Sequence, residues 1–382
     1  MSPARPRVLL AITVYNGRAF VPRCLTSAKA LETPSADVDV LVLDDCSPEP
    51  GFSELIAEQC KRQDIYYYRT PRNLGIVRNV NMGLLAAVEK GYDYVIISNS
   101  DVIYSKQTVE MLLAAAHSSP RIGSVTAWSN NVSIFSLPNA DPDKHLASQD
   151  VVNWLASSLD ANFRGTAVDI PAGISFSILI PTSVIRDVGL MDPVFGRGYC
   201  EETDWTLRSL AKGYRITLAP AAFVYHQGRG STLAAGMVSG GHSTVPANEN
   251  VIDYRYPLFR GQVDAFVRGG ILERLRRDSL TVILKQAARQ YGYRIEYHAV
   301  VDSKEQDMMQ VTCRVRADAG SVLVSFKGFE LELTDTRGQP LEAVREFFQE
   351  PAADGSSPAS RGDTLPIPLV QPPGRPSYPV RV

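Results

Sequence analysis

Acidic and polar side chains follow apolar segments at several points of the chain. Asn99-Ser100-Asp101 comes directly after the apolar run at 94–97, and the lone His226 closes another at 219–224. Between them, Glu201-Glu202-Thr203-Asp204 opens a predicted helix just after the glycine-containing loop at 195–199. A carboxylate and an imidazole can hold a divalent cation, and a carboxylate at a helix N-terminus is favoured in the ionised form that a base needs. These residue types predict a site that combines a metal, a leaving group and a base.

Each of these segments also has an ordinary structural explanation. An Asn-Ser-Asp run often forms a turn, acids in a first helical turn simply start helices well, and a histidine at a strand end is often a hydrogen-bonded core residue. The same holds for Asp44 and Asp45, which follow the strand predicted at 38–43. Taken singly, the segments leave both explanations open.

Composition excludes several classes of protein. The chain has 382 residues, of which 21% are charged and 45% apolar, as in ordinary globular proteins, and a formal charge of -2 gives no long-range attraction for nucleic acid. The five cysteines are scattered without metal-ligand spacing, as expected of buried thiols in a reducing compartment. No apolar run reaches about 18 residues and no signal-peptide pattern opens the chain, so we expect a soluble cytoplasmic protein.

Strand and helix patterns alternate through the first hundred residues. Strands are predicted at 8–12, 38–43, 65–68 and 94–97, with helices at 20–29, 53–63 and 76–90 between them. Such alternation predicts an α/β fold with a mostly parallel sheet flanked by helices, whose strand ends carry the ligand site. The sequence has neither a GxGxxG turn after the first strand nor a GxxxxGK[ST] motif, which argues against dinucleotide and P-loop chemistry.

The middle of the chain mixes short strands, helices and loops. A strand is predicted at 173–180, a short helix at 182–188 and a helix that begins near Glu202 and ends at Gly213. The glycine- and serine-rich stretch at 228–241 is expected to be mobile, either as a lid over a ligand or as an ordinary linker. A helical pattern runs from about 254 to 290, and short alternating strands follow at 294–301, 309–316, 322–326 and 329–334.

Several motifs, in order, resemble those of the inverting family 2 glycosyltransferases, which have the GT-A fold. The resemblance covers about residues 7–230 and is nearest to rhamnosyltransferase-like members. Its motifs are Thr13-Val14-Tyr15-Asn16, Leu43-Asp44-Asp45-Cys46-Ser47, Asn73-Leu74-Gly75 with Arg78 and Asn81-Met82-Gly83, Asn99-Ser100-Asp101, Gly189 to Asp192 with Phe195, Glu201-Glu202-Thr203-Asp204-Trp205 with Arg208, Gly213-Tyr214-Arg215, and His226.

The resemblance implies a role for each motif. Asp101 and His226 would bind Mn²⁺ or Mg²⁺, and Glu202 would be the catalytic base, with Glu201 or Asp204 holding the acceptor or orienting the base. The side chains expected to bind the nucleotide sugar are Thr13, Tyr15, Asn16, Asp44, Asp45, Asn73, Arg78, Asn99 and Ser100.

The sequence departs from the family pattern in three places. Asn99 replaces the first acid of the metal-binding DxD motif, and Glu201-Glu202 replaces the usual Glu-Asp pair, so the base is uncertain by one position. A QxxRW motif is missing from the sequence, which argues for transfer of one sugar at a time.

The expected function is metal-dependent, inverting, non-processive transfer from a UDP-, dTDP- or GDP-sugar. The acceptor would be a glycan, a lipid-linked saccharide or a small molecule, as in polysaccharide biosynthesis. Two alternatives stay open: a sugar-phosphate nucleotidyltransferase, and a non-catalytic scaffold that binds a nucleotide sugar. Peripheral membrane association and a homo-oligomer through the C-terminal region also stay open.

The domain organisation that we expect has four units. A GT-A glycosyltransferase domain takes residues 1–245, a helical extension 246–292 and a small β-rich module 293–350. The Pro/Gly/Ser-rich tail at 351–382 is expected to lack regular structure.

Overall fold

A computed structural model describes most of the chain. The described residues are 4–130, 132, 135–137, 149–227, 238–239, 242–243, 245–291, 294–302, 309–317, 320–327 and 330–335. The strands are β1 (Arg7–Val14), β2 (Asp37–Asp44), β3 (Tyr66–Arg69), β4 (Tyr94–Asn99), β5 (Val102–Tyr104), β6 (Ile122–Trp128), β7 (Val168–Asp169), β8 (Ser177–Pro181), β9 (Arg215–His226), β10 (Val238–Ser239), β11 (His242–Ser243), β12 (Arg294–Asp302), β13 (Met309–Ala317), β14 (Gly320–Lys327) and β15 (Glu330–Asp335). The helices are α1 (Val21–Lys29), α2 (Phe52–Gln63), α3 (Ile76–Glu89), α4 (Thr108–Ala116), α5 (Gln149–Phe163), α6 (Thr182–Val188), α7 (Glu201–Ala211), α8 (Val245–Arg255), α9 (Phe259–Arg268) and α10 (Ile271–Tyr291).

A mixed nine-stranded sheet forms the centre of the fold. Its order is β3-β2-β1-β4-β8-β6-β9-β5, with β7 paired to β9. The strands β3, β2, β1 and β4 are parallel, as the βα alternation predicts. Strand β8 is antiparallel to both β4 and β6, and β9 is parallel to β6, so β4, β6 and β9 all run in one direction.

Helices cover both faces of the sheet. Alternate residues of β1 point to opposite sides: Leu10 and Ile12 join the core under α1, α2, α4 and α5, whereas Leu9 and Ala11 join the core under α3, α6 and α7. Both faces are therefore dry, which explains why β1 is a continuous apolar run and not an alternating one. The expected α/β class is confirmed.

The structure differs from the sequence prediction in the second half of the sheet. The strand predicted at 173–180 begins only at Ser177, and the residues before it form a loop. The helical pattern predicted from 254 to 290 is three helices, because Pro257 follows the end of α8 and Gly269-Gly270 separates α9 from α10. The sequence reading also missed β5 and β6.

The C-terminal strands β12 to β15 form a four-stranded antiparallel meander by themselves. The boundaries expected at 245, 292 and 350 stay predictions. The tail at 351–382, and the predicted lid or linker at 228–241 apart from 238–239, lie outside the described residues. Within the described part of the chain, we find no helix with the length and apolar character needed to cross a membrane.

Candidate active site

The predicted site segments meet at one edge of the sheet. Residue Val14 at the end of β1 is paired with Asp44 of β2, and Thr13 is paired with Asn99 of β4. Because β6 and β9 run in the same direction as β4, the end of β9 at His226 reaches this edge as well. This is the carboxyl edge, where open α/β sheets bind ligands.

Asp45 ties the end of β2 to the start of α3. Its two carboxylate oxygens accept hydrogen bonds from the backbone amides of Leu74, at 2.7 Å, and Gly75, at 2.8 Å. Gly75 has φ +82°, and a side chain there would approach the carbonyl oxygen of Gly196 to 3.1 Å. A glycine is therefore needed where the loop after β3 touches the loop that leads to α7. Asn73 is exposed beside this corner, and its Oδ1 accepts from the Gly75 amide at 3.1 Å.

The Asp44 side chain is buried and hydrogen-bonded within the protein. It has 0% exposure, and its carboxylate accepts hydrogen bonds from Ser47, Ser53 and Tyr67 at 2.5–2.9 Å. The protein itself supplies the hydrogen-bond partners of this carboxylate, and the contact of Asp44 with a nucleotide stays an untested prediction. Burial alone would raise the pKa of Asp44, but these hydrogen bonds outweigh it and hold the pKa below its usual value.

The remaining predicted nucleotide-binding side chains surround the same edge. Asn16 joins two loops: its amide nitrogen donates to Ser47 Oγ at 2.8 Å, and its Oδ1 accepts from the Glu49 amide at 3.2 Å. Tyr15 is half-buried next to it, and Thr13 is buried with its hydroxyl donating to a β4 carbonyl at 3.3 Å. Their contact with a nucleotide stays a prediction.

Two further side chains of that set differ in exposure. Ser100 has a buried hydroxyl with no hydrogen-bond partner among the described residues. Arg78 is exposed on the first turn of α3 and can reach outward.

Asp101, His226 and Asn99 form a cluster beyond the end of β4. His226 Nε2 lies 3.3 Å from Asp101 Oδ1 and 3.4 Å from Asn99 Nδ2. Two ligands that share one octahedral Mg²⁺ at 2.0–2.1 Å sit roughly 3 Å apart, so the Asp–His distance fits a common cation. Within the described residues no group of three or more His, Cys, Asp or Glu side chains could hold a metal. A cation here would therefore need oxygens from water or a bound phosphate to complete its coordination.

Neighbouring elements fix the orientation of His226. The Asn130 side chain accepts from the His226 amide at 2.7 Å and donates to its carbonyl oxygen at 3.0 Å. The Phe176 ring packs on the imidazole with 5.3 Å between ring centroids. Sequence reasoning missed both residues. An asparagine just after β6 was the only signal for the first, and the second lies in a segment that was predicted as strand interior.

The acid pair Glu201-Glu202 begins α7 after a strained loop. Tyr199 and Cys200, the two residues before it, have φ values of 70° and 75°, which side-chain-bearing residues rarely adopt. Glu201 is 4% exposed, and the Oε2 atoms of both glutamates are buried without a hydrogen-bond partner among the described residues. Burial raises the pKa of both side chains, and the charge of Glu202 raises that of Glu201 further. The helix dipole expected to favour ionisation is thus outweighed.

Asp204 is held in a network of internal contacts. Its carboxylate, with 0% exposure, pairs with Arg208 at 2.9 Å, with Arg255 at 2.8 Å and with the Tyr256 hydroxyl at 2.9 Å. These contacts form an internal network, and the predicted part of Asp204 in catalysis stays untested.

One short segment contacts both α7 and the cation cluster. A side chain on Gly173 would lie 3.2 Å from Thr206 Cγ2 on α7, so the chain passes close to that helix. Three residues later, Phe176 contacts His226, and its carbonyl oxygen accepts from the Asn99 amide at 2.9 Å. The segment 173–176 thus touches both α7 and the cation cluster.

The sequence is similar to known proteins. Residues 10–160 match the family described as Glycosyl transferase family 2. An undecaprenyl-phosphate mannosyltransferase of Micrococcus luteus is 24% identical over 233 residues, which are 61% of this chain and 89% of that protein.

Solved structures are similar as well. GalNAc-T7, solved with UDP, GalNAc and Mn²⁺, has a TM-score of 0.50 at 12% identity, covering 87% of this chain and 72% of that one. A mannosyltransferase of Pyrobaculum calidifontis in complex with GDP-Man and Mn²⁺ has a TM-score of 0.44 at 12% identity, covering 75% of this chain and 87% of that one. The first of these likenesses concerns the fold alone. The match of residues 10–160 is a likeness to glycosyl transferase family 2 over that part of the chain, and the likeness to GalNAc-T7 agrees with the expected GT-A fold.

Proposed function

We propose that this glycosyltransferase is metal-dependent and inverting, and that it moves one sugar from a nucleoside-diphosphate sugar to an acceptor hydroxyl. The observation that carries the proposal is the acid pair Glu201-Glu202, whose buried Oε2 atoms lack a donor in the described structure. Buried carboxylate oxygens normally accept hydrogen bonds. The hydroxyl group of the sugar acceptor would donate such a bond to one of these oxygens.

Asp101 and His226, with Asn99 beside them, would hold Mn²⁺ or Mg²⁺ together with the donor diphosphate. When bound, the cation would neutralise charge that develops on the departing diphosphate. The buried hydroxyl of Ser100, which lacks a partner in the described residues, is available to donate to the donor sugar or its phosphates. Asp101 Oδ1 and His226 Nε2 already lie 3.3 Å apart, so little rearrangement is needed to bind one ion.

Glu202 is our candidate for the base. Burial raises the pKa of both side chains, and the charge of Glu202 adds to the rise at Glu201, so the two carboxyl groups titrate as a pair. Glu202, the second acid of the pair, accepts the proton of the acceptor hydroxyl in its ionised form. The hydroxyl oxygen bonds to the anomeric carbon as the bond to the diphosphate breaks on the opposite face, which inverts the configuration.

The donor and acceptor are proposed by class. GalNAc-T7 was solved with UDP, GalNAc and Mn²⁺, and the Micrococcus luteus relative is an undecaprenyl-phosphate mannosyltransferase. We therefore propose a UDP-, GDP- or dTDP-hexose or deoxyhexose donor, a saccharide or lipid-linked acceptor, and non-processive transfer. A rhamnosyl donor stays one member of that set, and a cytoplasmic location, peripheral membrane contact and a homo-oligomer stay expectations.

A binding screen followed by a turnover assay tests the proposal. Thermal shifts with UDP, GDP, dTDP and CDP, each with and without Mn²⁺, identify the base. Incubation with the matching nucleotide sugars then reports release of the nucleoside diphosphate, and NMR of the product reports the anomeric configuration.

Three results would contradict the proposal. A product with retained configuration would exclude the role of Glu202. Formation of a nucleotide sugar from a nucleoside triphosphate would indicate a nucleotidyltransferase, and Mn²⁺-dependent binding with no turnover of any donor would indicate a scaffold.

A further inference from the structure

One face of α8 contacts α7 and the loop before it. Asn248, Ile252, Arg255 and Tyr256 are spaced at i, i+4, i+7 and i+8, which places them on the same side of a helix. Asn248 and Ile252 are the buried residues of α8, and Ile252 joins the core beneath α3, α6 and α7. A polar contact lies on each side of the apolar contact that Ile252 makes.

The first polar contact is the Asn248 side-chain amide. Its Nδ2 lies 3.0 Å from the carbonyl oxygen of Phe195, 2.7 Å from that of Gly198 and 2.9 Å from that of Tyr199. With 7% exposure, Asn248 has little access to water. One amide group therefore contacts three carbonyls of the loop that leads to the acid pair.

That loop has an unusual backbone. Gly196, Gly198, Tyr199 and Cys200 have φ values of 60°, 117°, 70° and 75°. Left-handed conformations at residues other than glycine persist only where the surroundings hold them in place. The hydrogen bonds of the Asn248 side-chain amide stabilise this loop directly.

The second polar contact lies on the far side of the acid pair. Arg255 Nη1 and the Tyr256 hydroxyl donate to Asp204 Oδ1 at 2.8 and 2.9 Å. The attachment at Tyr199 precedes Glu201 and Glu202, and the attachment at Asp204 follows them. The two glutamates are thus bracketed by contacts from one helix.

We propose that Asn248 is a positioning residue for glycosyl transfer, which places Glu202 against the acceptor hydroxyl by holding the loop at 195–199. The proposal rests on the proposed function, in which Glu202 is the base. A base must lie within hydrogen-bond reach of the proton that it removes, and a displacement of about 1 Å lowers the rate steeply.

The first test uses the substrate-free protein and the thiol of Cys200 as a probe of the loop. Burial and then the charges of Glu202, Glu201 and Glu249 raise the pKa of this thiol to about 12, which makes it slow to react. In Asn248→Ala, the loop loses its hold, and we expect the rate of Cys200 labelling by DTNB to rise about tenfold. A Cys200→Ser background gives the contribution of the other cysteines.

Thr182→Ala is the matched control. The Thr182 hydroxyl is 2% exposed and donates to the Tyr92 carbonyl at 2.6 Å near the start of β4, at the opposite edge of the sheet. This variant also loses a buried hydrogen bond, so its Tm should fall by about as much as that of Asn248→Ala. We expect its rate of Cys200 labelling and its kcat to match those of the wild type.

The second test measures turnover with GDP-mannose, UDP-N-acetylgalactosamine and dTDP-rhamnose in Mn²⁺, with water as acceptor. We expect Asn248→Ala to lower kcat about tenfold or more, with the donor KM within about threefold of the wild type. A loosened loop admits water to the acid pair and lowers its raised pKa, so the acidic limb of the kcat–pH profile should move to lower pH. The other titratable groups beside the segment, Cys200, Glu249 and Arg260, are the same in both proteins.

Asn248→Ser serves if Asn248→Ala does not fold. It removes the amide donor from the same three carbonyls but keeps a polar side chain, and it should shift the same readings in the same direction by a smaller amount. Unchanged Cys200 labelling, or a kcat that falls equally at every pH, would overturn the proposal in whichever variant folds. Failure of the proposed function looks different: Glu202→Gln would then retain turnover, or no donor would be turned over by the wild type, whatever the labelling shows.

Discussion

Two buried acidic sites in this protein have opposite electrostatic character. Asp44, at the end of β2, has 0% exposure and accepts hydrogen bonds from Ser47, Ser53 and Tyr67. In the acid pair Glu201-Glu202, at the start of α7, Glu201 is buried and Glu202 is half-buried, and the buried Oε2 atom of each side chain lacks a partner in the described structure. The pKa of Asp44 is lowered, whereas the pKa values of the pair are raised.

The difference shows that burial alone does not identify a reactive carboxylate. Burial disfavours the charged form at both sites, and the number of hydrogen-bond donors decides the outcome. A full set of donors stabilises the charge and makes Asp44 a structural element. An incomplete set leaves the pair with raised proton affinity and an open oxygen, which is what a base for a hydroxyl proton requires.

The largest effect is expected from removing the base. Glu202→Gln keeps the shape of the side chain but cannot accept a proton, so we expect kcat to fall about 10³-fold, within the usual range for a general base. Initial rates of donor turnover, with circular dichroism to verify folding, measure this. Glu201→Gln is the matched variant, and it should retain more activity than Glu202→Gln. The reverse order would move the base by one position.

A slightly smaller effect is expected at the cation cluster. Asp101→Ala removes the carboxylate that lies 3.3 Å from His226, so Mn²⁺ should bind more weakly and kcat should fall about 10²-fold. Calorimetric titration with Mn²⁺ in the presence of a nucleoside diphosphate measures the loss separately from turnover. EDTA should abolish wild-type activity. Equal Mn²⁺ affinity in wild type and variant would remove Asp101 from the cation site.

The sequence predicted the parallel half of the fold well and the remaining half less well. Strands covered on both faces, such as β1, read as continuous apolar runs, and each is followed by an amphipathic helix. Strand β8, by contrast, is antiparallel to two neighbours far away in the chain, and its preceding loop is apolar enough to resemble strand. Local sequence patterns do not distinguish β8 from the loop before it, because residues that are distant in the chain determine which segment pairs as a strand.

The sequence likewise predicted some features of the candidate site and not others. Residue types and order predicted that Asp101 and His226 belong together, and the structure places them 3.3 Å apart. The same signals grouped Asp44 and Asp204 with the reactive residues, although both are saturated by internal partners. Two of those partners, Tyr67 and Tyr256, are separated from the acids by 23 and 52 residues, so only the folded chain reveals them.

The saturated acid offers a test of the first half of the comparison. Asp44→Asn leaves three hydroxyl donors and the Ser47 amide facing a neutral side chain, and we expect a loss of about 2 kcal/mol in the free energy of unfolding at pH 7, measured by urea. Since the folded pKa is lowered, the stability that Asp44 contributes is present above its unfolded value of 3.8 and is lost as the pH falls through the folded pKa. The difference between wild type and variant should therefore vanish in acid. Tyr67→Phe, which removes one donor, should show a fraction of the loss.

The unsaturated acid should show the opposite pH dependence, with the smallest effect. The folded pKa of Glu201 lies above its unfolded value of 4.5, so its contribution is complete below that value and is lost as the pH rises through the folded pKa. Glu201→Gln resembles the protonated side chain and cannot ionise. Its Tm should equal that of the wild type near pH 4 and exceed it at pH 8 by about 2–4 °C, the shift typical of roughly 1 kcal/mol. Calorimetric scans across this pH range measure the difference in Tm between variant and wild type. If that difference instead turned against the variant between pH 4 and pH 8, the pair would already be stabilised in its charged form.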